Sequence, residues 1–210
     1  MPEETLVVAV PKGRVLEQLV PRFERVGFDV GVLTKKSRKL IREDAKRGLR
    51  FLLLKPDDVP TYVEYGAADL GVVGRDVLLE REYDLYAPLD LGIGRCRLAV
   101  AGLSDVAYPP PPGKTLRVAT KFPNVATRHF QAKGQPVEMI FVQGSVELAP
   151  LTGLADVIVD IVETGETLRQ NGLAVLEDIH EVSSVLVANR VGLKLKRERI
   201  APLLEALREE

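Results

Sequence analysis

The 210-residue chain has a single cysteine, Cys96, so it forms no internal disulfide and no multi-cysteine metal site. Tryptophan is absent and there are only two histidines. A surplus of one charge is missing as well. Twenty-nine Lys and Arg stand against 30 Asp and Glu, whereas nucleic-acid binding usually leaves a basic excess or a basic face. No apolar run approaches the ~20 residues needed to span a bilayer. The opening Met-Pro-Glu-Glu-Thr leads straight into an apolar strand and lacks the parts of a signal peptide. A cytoplasmic protein is expected, of a length that suits one large domain or two small ones.

What is present is an alternation of short apolar runs and amphipathic segments, the pattern of an α/β protein. Thr5–Val10, Phe51–Leu54, Leu70–Val73, Leu98–Ala101, Arg117–Ala119, Val137–Val142 and Val157–Asp160 read as strands, with apolar stretches at Ala174–Leu176 and Val182–Ala188. Helical spacing marks Arg14–Val26, Val59–Tyr65, Asp76–Arg81, Val125–Lys133, Thr167–Asn171 and the tail Arg197–Arg208. The prolines of Tyr108–Gly113 demand an extended loop. Two α/β lobes with a central cleft fit this order better than one continuous sheet. The first lobe is expected at 1–95 plus 180–210 and the second at 96–179, with Asp90–Arg95 as a crossing point between them.

The strongest local motif is Asp160-Ile-Val-Glu-Thr-Gly-Glu-Thr-Leu168. An apolar strand ends in a carboxylate and then turns into a helix through Thr-Gly-x-Thr. Gly165 lets the backbone approach an anion, helix-start N–H groups point at it, and the hydroxyls of Thr164 and Thr167 add donors. Asp160 and Glu163 are acceptors just before those donors. Phosphate alone would be repelled by them, but a phosphorylated sugar needs both. The residues leave two readings open: a sugar-phosphate cradle, or a capped helix with a glycine turn.

Cations stand near strand ends, where α/β sites gather. They are Lys12 and Arg14 after the first strand, Arg38 in Lys35-Lys36-Ser37-Arg38-Lys39, and Lys55 after Phe51–Leu54. Each alone is more often a surface charge than a ligand, and Lys194–Arg199 reads as a solvated face. His129 in a helix and His180 at a strand end read as structural. No residue set reads as a metal site.

Several segments then resemble one family in the expected order along nearly the whole chain. They are Val8–Arg14, Ala68–Gly74 with Asp76, Gly92–Arg97, Val118–Asn124, Gly144–Pro150 and Gly153–Leu168, the last resembling the family signature. The family is ATP phosphoribosyltransferase. The resemblance implies a fold like the type II periplasmic binding proteins and the first step of histidine biosynthesis. Adenine N1 of ATP would attack C1 of 5-phosphoribosyl 1-pyrophosphate, giving N1-(5-phosphoribosyl)-ATP and pyrophosphate with Mg²⁺. Asp160 and Glu163 would hold the ribose hydroxyls, Thr164, Gly165, Glu166 and Thr167 the 5-phosphate, and Lys12, Arg14 and Arg38 the anionic cleft. Lys55 stands where the family more often has arginine; it supplies charge without a two-pronged fork. An end after one amphipathic helix resembles the short form, which implies a regulatory subunit like histidyl-tRNA synthetase and a homodimer of this chain within a larger hetero-oligomer. The competing readings are a non-catalytic two-lobed small-molecule binding protein, a transferase acting on another base, and a regulatory ligand-binding domain.

Overall fold

The structure is a computed structural model that describes residues 5–208. These divide into two compact units. One takes in the chain up to Leu78, with Glu82–Gly94 and everything from Ser183 on; the other holds Leu79–Arg81 and Arg95–Val182.

The first unit opens with β1 (Leu6–Pro11), α1 (Arg14–Arg25), α2 (Gly31–Thr34), β2 (Ile41–Asp44) and β3 (Leu49–Leu54). A 3-10 turn at Pro56–Asp58 runs into α3 (Val59–Glu64), followed by β4 (Leu70–Gly74) and α4 (Arg75–Glu80). β1 lies between β3 and β4, parallel to both, and β2 pairs antiparallel to the outer side of β3. The run Leu-Val-Val-Ala-Val is apolar throughout because both faces of β1 are covered. Leu6, Val8 and Val10 pack with Leu19 and Phe23 of α1, while Ala9 packs with Val59 and Val63 of α3. A parallel strand sheathed on both sides has no polar face to alternate with.

Two long strands belong to both units. β5 covers Tyr86–Leu103 and, later in the chain, β9 covers Leu173–Ala188. Between them the second unit adds β6 (Leu116–Thr120), α5 (Pro123–Ala132), β7 (Val137–Phe141), α6 (Leu148–Leu151), β8 (Val157–Val162) and α7 (Glu166–Gln170). β6 lies parallel to β7 and β8, and β5 pairs antiparallel with β8. Here too both faces are covered: Val157 and Val159 pack with Ala126 and Phe130 of α5, and Ile158 with Ala149 and Leu168. In the first unit Ser184–Ala188 of β9 pair antiparallel with β4. The chain then forms α8 (Arg190–Leu195) and α9 (Arg197–Arg208), whose Ile200, Leu203 and Leu207 rejoin the core around β1. No helix of the described residues is long and apolar enough to cross a membrane.

Asp90–Arg95 lies within β5 where the chain passes from one unit to the other, and Gly92 and Gly94 take positive φ within the strand. A side chain at Gly94 would also meet Ser184 Oγ at 2.9 Å and Val15 at 3.2 Å. Two other features differ from expectation. The two apolar stretches after residue 173 are one strand, and His180 therefore lies inside β9 rather than at a strand end. The polar middle of that strand stays extended because its charges are paired: Asp178 with Arg97 at 2.7 Å, and Glu177 with Lys133 and the Tyr108 hydroxyl. β2 was invisible because Ile41 is exposed and only Asp44 is buried, which leaves no periodic signal.

One polar contact fastens the start of the first unit's sheet. Asp69 Oδ2 accepts from Val7 N at 2.8 Å and from Lys196 Nζ at 2.9 Å, and the same ammonium donates to Thr5 O at 2.9 Å. The two side chains are only 12–13% exposed. Removing one partner from such a pair leaves a largely buried charge uncompensated. Lys196→Met should therefore lower the unfolding free energy by about 3 kcal/mol, and adding Asp69→Asn should recover part of the loss. Urea unfolding of the three proteins checks this; an unchanged midpoint for Lys196→Met would mean that the pair behaves as a solvated one.

Candidate active site

Because β3, β1 and β4 run parallel, their carboxyl ends lie on one edge of the first unit's sheet, the edge where ligands of α/β folds bind. Pro11 pairs with Leu54, and Lys12 N donates to Leu54 O at 2.9 Å, so Lys12 and Lys55 leave adjacent strand ends side by side. Arg14 opens α1 immediately afterwards. Arg38 reaches the same edge by another route. Leu40, two residues on, accepts through its carbonyl from Leu53 N at 2.8 Å, which ties the basic loop to the end of β3. All four cations are exposed.

In the second unit, β8 carries Asp160 near its end, between β5 and β6. Asp160 Oδ1 accepts from the next amide, Ile161 N, at 2.8 Å. Thr120 of β6 joins the neighbouring strand ends: its hydroxyl donates to Val159 O at 2.6 Å and accepts from Phe122 N at 2.8 Å. Beyond β8, the Thr164 hydroxyl accepts from Glu166 N at 3.3 Å, and Gly165 takes φ 77° as the residue that starts α7. A Cβ there would have room, with Val162 Cγ1 3.8 Å away, so conformation rather than space calls for glycine.

Glu166 places a carboxylate beside this helix start. It is bonded along the helix surface to Arg169 Nη2 and Nε at 2.6 and 2.9 Å and to Gln170 Nε2 at 2.7 Å. Those bonds, from Arg169 first and then Gln170, hold its carboxyl below the usual carboxylate range. The Glu166 side chain is thus turned along the helix, with Arg169 offsetting its charge, while its backbone N–H is held by the Thr164 hydroxyl. The start of α5 is different. There the Glu80 carboxylate accepts from Asn124 N and Val125 N at 3.0–3.1 Å, so the protein's own anion already fills it.

The histidines stand apart from both places. His129 on α5 has Nε2 3.5 Å from Glu177, and burial pushes its imidazole down despite that carboxylate. His180 is exposed on β9. Among the described residues, no group of three or more His, Cys, Asp or Glu is arranged to hold a metal ion.

The family model described as "HisG: ATP phosphoribosyltransferase" matches residues 55–209. The chain belongs to the ATP phosphoribosyltransferase family. An ATP phosphoribosyltransferase of Sorangium cellulosum is 59% identical over 203 residues, covering 97% of this chain and 94% of the relative. One from Caldanaerobacter subterraneus is 54% identical, covering 96% and 95%. Among solved structures, the ATP phosphoribosyl transferase (HisG:HisZ) complex from Thermotoga maritima contains a chain matching 98% of this one, and 98% of its own length, with TM-score 0.82 and 38% identity. The chain is thus a pentosyltransferase of mixed α/β fold that makes N1-(5-phosphoribosyl)-ATP, the first step of histidine biosynthesis.

Two residues with structural roles in this chain give no signal in its sequence. Glu80 gives no sign at a distance of 44 residues from the helix it caps, and Arg42 looks like one more charge after a basic run. For Gly165 the geometry makes a direct test. Gly165→Ala forces a side chain into the left-handed region and should cost about 1 kcal/mol of stability, read as a lower urea midpoint with an unchanged slope.

Proposed function

We propose that the loop Asp160–Thr167 binds the ribose 5-phosphate of phosphoribosyl pyrophosphate and that Lys12, Arg14, Arg38 and Lys55 meet the polyphosphate charges of the two substrates. The observation that carries this is the left-handed Gly165 opening α7 between two threonines at the end of β8. Thr164, Gly165, Glu166 and Thr167 supply N–H and hydroxyl donors to the phosphate, while Asp160 and Glu163 accept from the ribose hydroxyls. The lone pair of adenine N1 forms a bond to ribose C1 as the C1–O bond breaks, and that electron pair leaves on pyrophosphate. Adenine N1 is already nucleophilic, so we assign no general base. Positioning and cationic stabilisation of the leaving group supply the rate.

Mg²⁺ enters this scheme on the substrate's pyrophosphate. The ion keeps several waters and binds through substrate phosphates with one or two carboxylates at most, which suits a chain without a clustered ligand set among the described residues. We place the reaction in the cytoplasm, where both phosphorylated substrates are made.

The Thermotoga structure is a HisG:HisZ complex, and we extend that arrangement to this chain. A regulatory subunit resembling histidyl-tRNA synthetase would give full activity and histidine feedback, with this chain as a dimer in the assembly. Two measurements test the reading. Gly165→Val with Thr167→Ala should weaken phosphoribosyl pyrophosphate binding at least about tenfold and ATP binding much less. Equal losses by calorimetry would place the loop elsewhere. Adduct formation, followed by near-ultraviolet absorbance with Mg²⁺ and a pyrophosphatase, should ignore histidine for the chain alone and respond to it once the partner is added. Clear inhibition without a partner would sink the regulatory scheme.

A further inference from the structure

We propose that Arg42 is a positioning residue for substrate binding, shaping the basic loop 35–40 so that Arg38 and the loop amides face phosphate; the proposal rests on reading Arg38 as a phosphate ligand. Arg42 lies on the edge strand β2. Its Nε donates to Lys39 O at 3.0 Å, Nη1 to both Val32 O and Lys35 O at 2.9 Å, and Nη2 to Ser37 O at 3.0 Å. Four of the five guanidinium N–H donors are thus spent on main-chain carbonyls of one short segment.

The consequence follows from peptide geometry. In a trans peptide the N–H points opposite to the C=O. Turning the carbonyls of Lys35, Ser37 and Lys39 toward the guanidinium turns the amides of Lys36, Arg38 and Leu40 away from it. These three amides have no hydrogen-bond partner among the described residues. The amide of Lys39, by contrast, is taken by Ser37 Oγ at 3.1 Å, which tightens the turn. The loop therefore presents three free N–H groups along with the exposed side chains of Lys35, Lys36, Arg38 and Lys39. Each of these amides points outward, away from the guanidinium, and so adds a donor to the exposed basic surface of the loop.

Left to itself this segment would not hold that shape. It has no helix or strand of its own, and its four cations repel one another and extend it. A carboxylate clamp would hold it but would cancel part of the charge that phosphate needs. A guanidinium holds it through the carbonyls and adds a further positive charge behind the amides. An ammonium cannot replace it well, because it is a point charge without the planar fork that reaches carbonyls on three sides.

The test uses the full chain carrying Arg42→Ala, Arg42→Lys, Arg38→Ala and the double variant Arg38→Ala/Arg42→Ala, with phosphoribosyl pyrophosphate and Mg²⁺ as the titrant. Arg42→Ala should bind about tenfold more weakly, the cost of ordering one or two side chains on binding, with a urea midpoint close to that of the parent. Arg42→Lys should fall between the two. The double variant should lose less than the product of the two single losses, because Arg42 acts largely through Arg38. Parent-like binding by Arg42→Ala while Arg38→Ala binds weakly would overturn the proposal and leave the role of Arg38 standing. Parent-like binding by Arg38→Ala would overturn both. Fully multiplicative losses would show that Arg42 works independently of Arg38 and would overturn the positioning role. If Arg42→Ala fails to fold, Arg42→Lys is judged by the same criteria.

Discussion

A strand sheathed on both faces by apolar side chains has only its ends left for polar chemistry. That constraint acts on β1 in the first unit and on β8 in the second. Along β1 no position admits a charge until Pro11 is passed, and Lys12 and Arg14 then follow within three residues. Along β8 the first carboxylate is Asp160, after three fully buried residues. Burial that stabilises the sheet is thus also what concentrates the ionisable groups at the carboxyl edge. Moving any of them two residues earlier would place a charge in the core, where an unpaired ion costs several kcal/mol or is driven neutral.

Concentrated charge creates a second problem, which is to keep donors and acceptors from cancelling each other. A phosphorylated sugar needs carboxylates for its hydroxyls within a few residues of amides for its phosphate. If the loop after β8 holds the phosphate as proposed, Glu166 would oppose it were its charge uncompensated. Its bonds to Arg169 and Gln170 commit that carboxylate to the helix surface. The Glu80 carboxylate does the converse at α5, occupying a helix start that would otherwise attract an anion. The two glutamates treat their helix starts differently: Glu80 caps α5, whereas Glu166 bonds along the surface of α7.

The parts of this architecture that rest on local periodicity were readable in the residues. β1, β3, β4, β6 and β8 each contain a short apolar run, and α9 keeps a 3–4 spacing of Ile200, Leu203 and Leu207, so each announced itself. Thr164-Gly165-Glu166-Thr167 announced a turn into a helix for the same reason, since a left-handed residue at a helix start leaves a glycine behind. What depends on distant partners was not readable. β5 and β9 run through glycines and charged residues that look like loop until their pairing is known: Asp178 finds Arg97, and Glu177 finds Tyr108 and Lys133. β2 carries almost no buried side chain and exists because β3 offers it an edge.

Arg42 is the sharpest case of that second kind, and it bears on Lys55. The sequence singles out Lys55 by its place after a strand and gives no sign of Arg42. The structure spends the guanidinium on carbonyl groups of its own loop and puts the ammonium at the strand end. A fork is needed where several fixed acceptors must be held in a plane, and the carbonyls of Val32, Lys35, Ser37 and Lys39 are fixed acceptors. A mobile polyphosphate that changes charge and position as its bond to C1 breaks makes a different demand. A compact ammonium on a flexible stem can follow it, and Lys55 is such a group at the end of β3. On the proposed reading, the rigid cation shapes the receptor and the mobile one tracks the ligand, a division of labour that residue charge alone does not reveal.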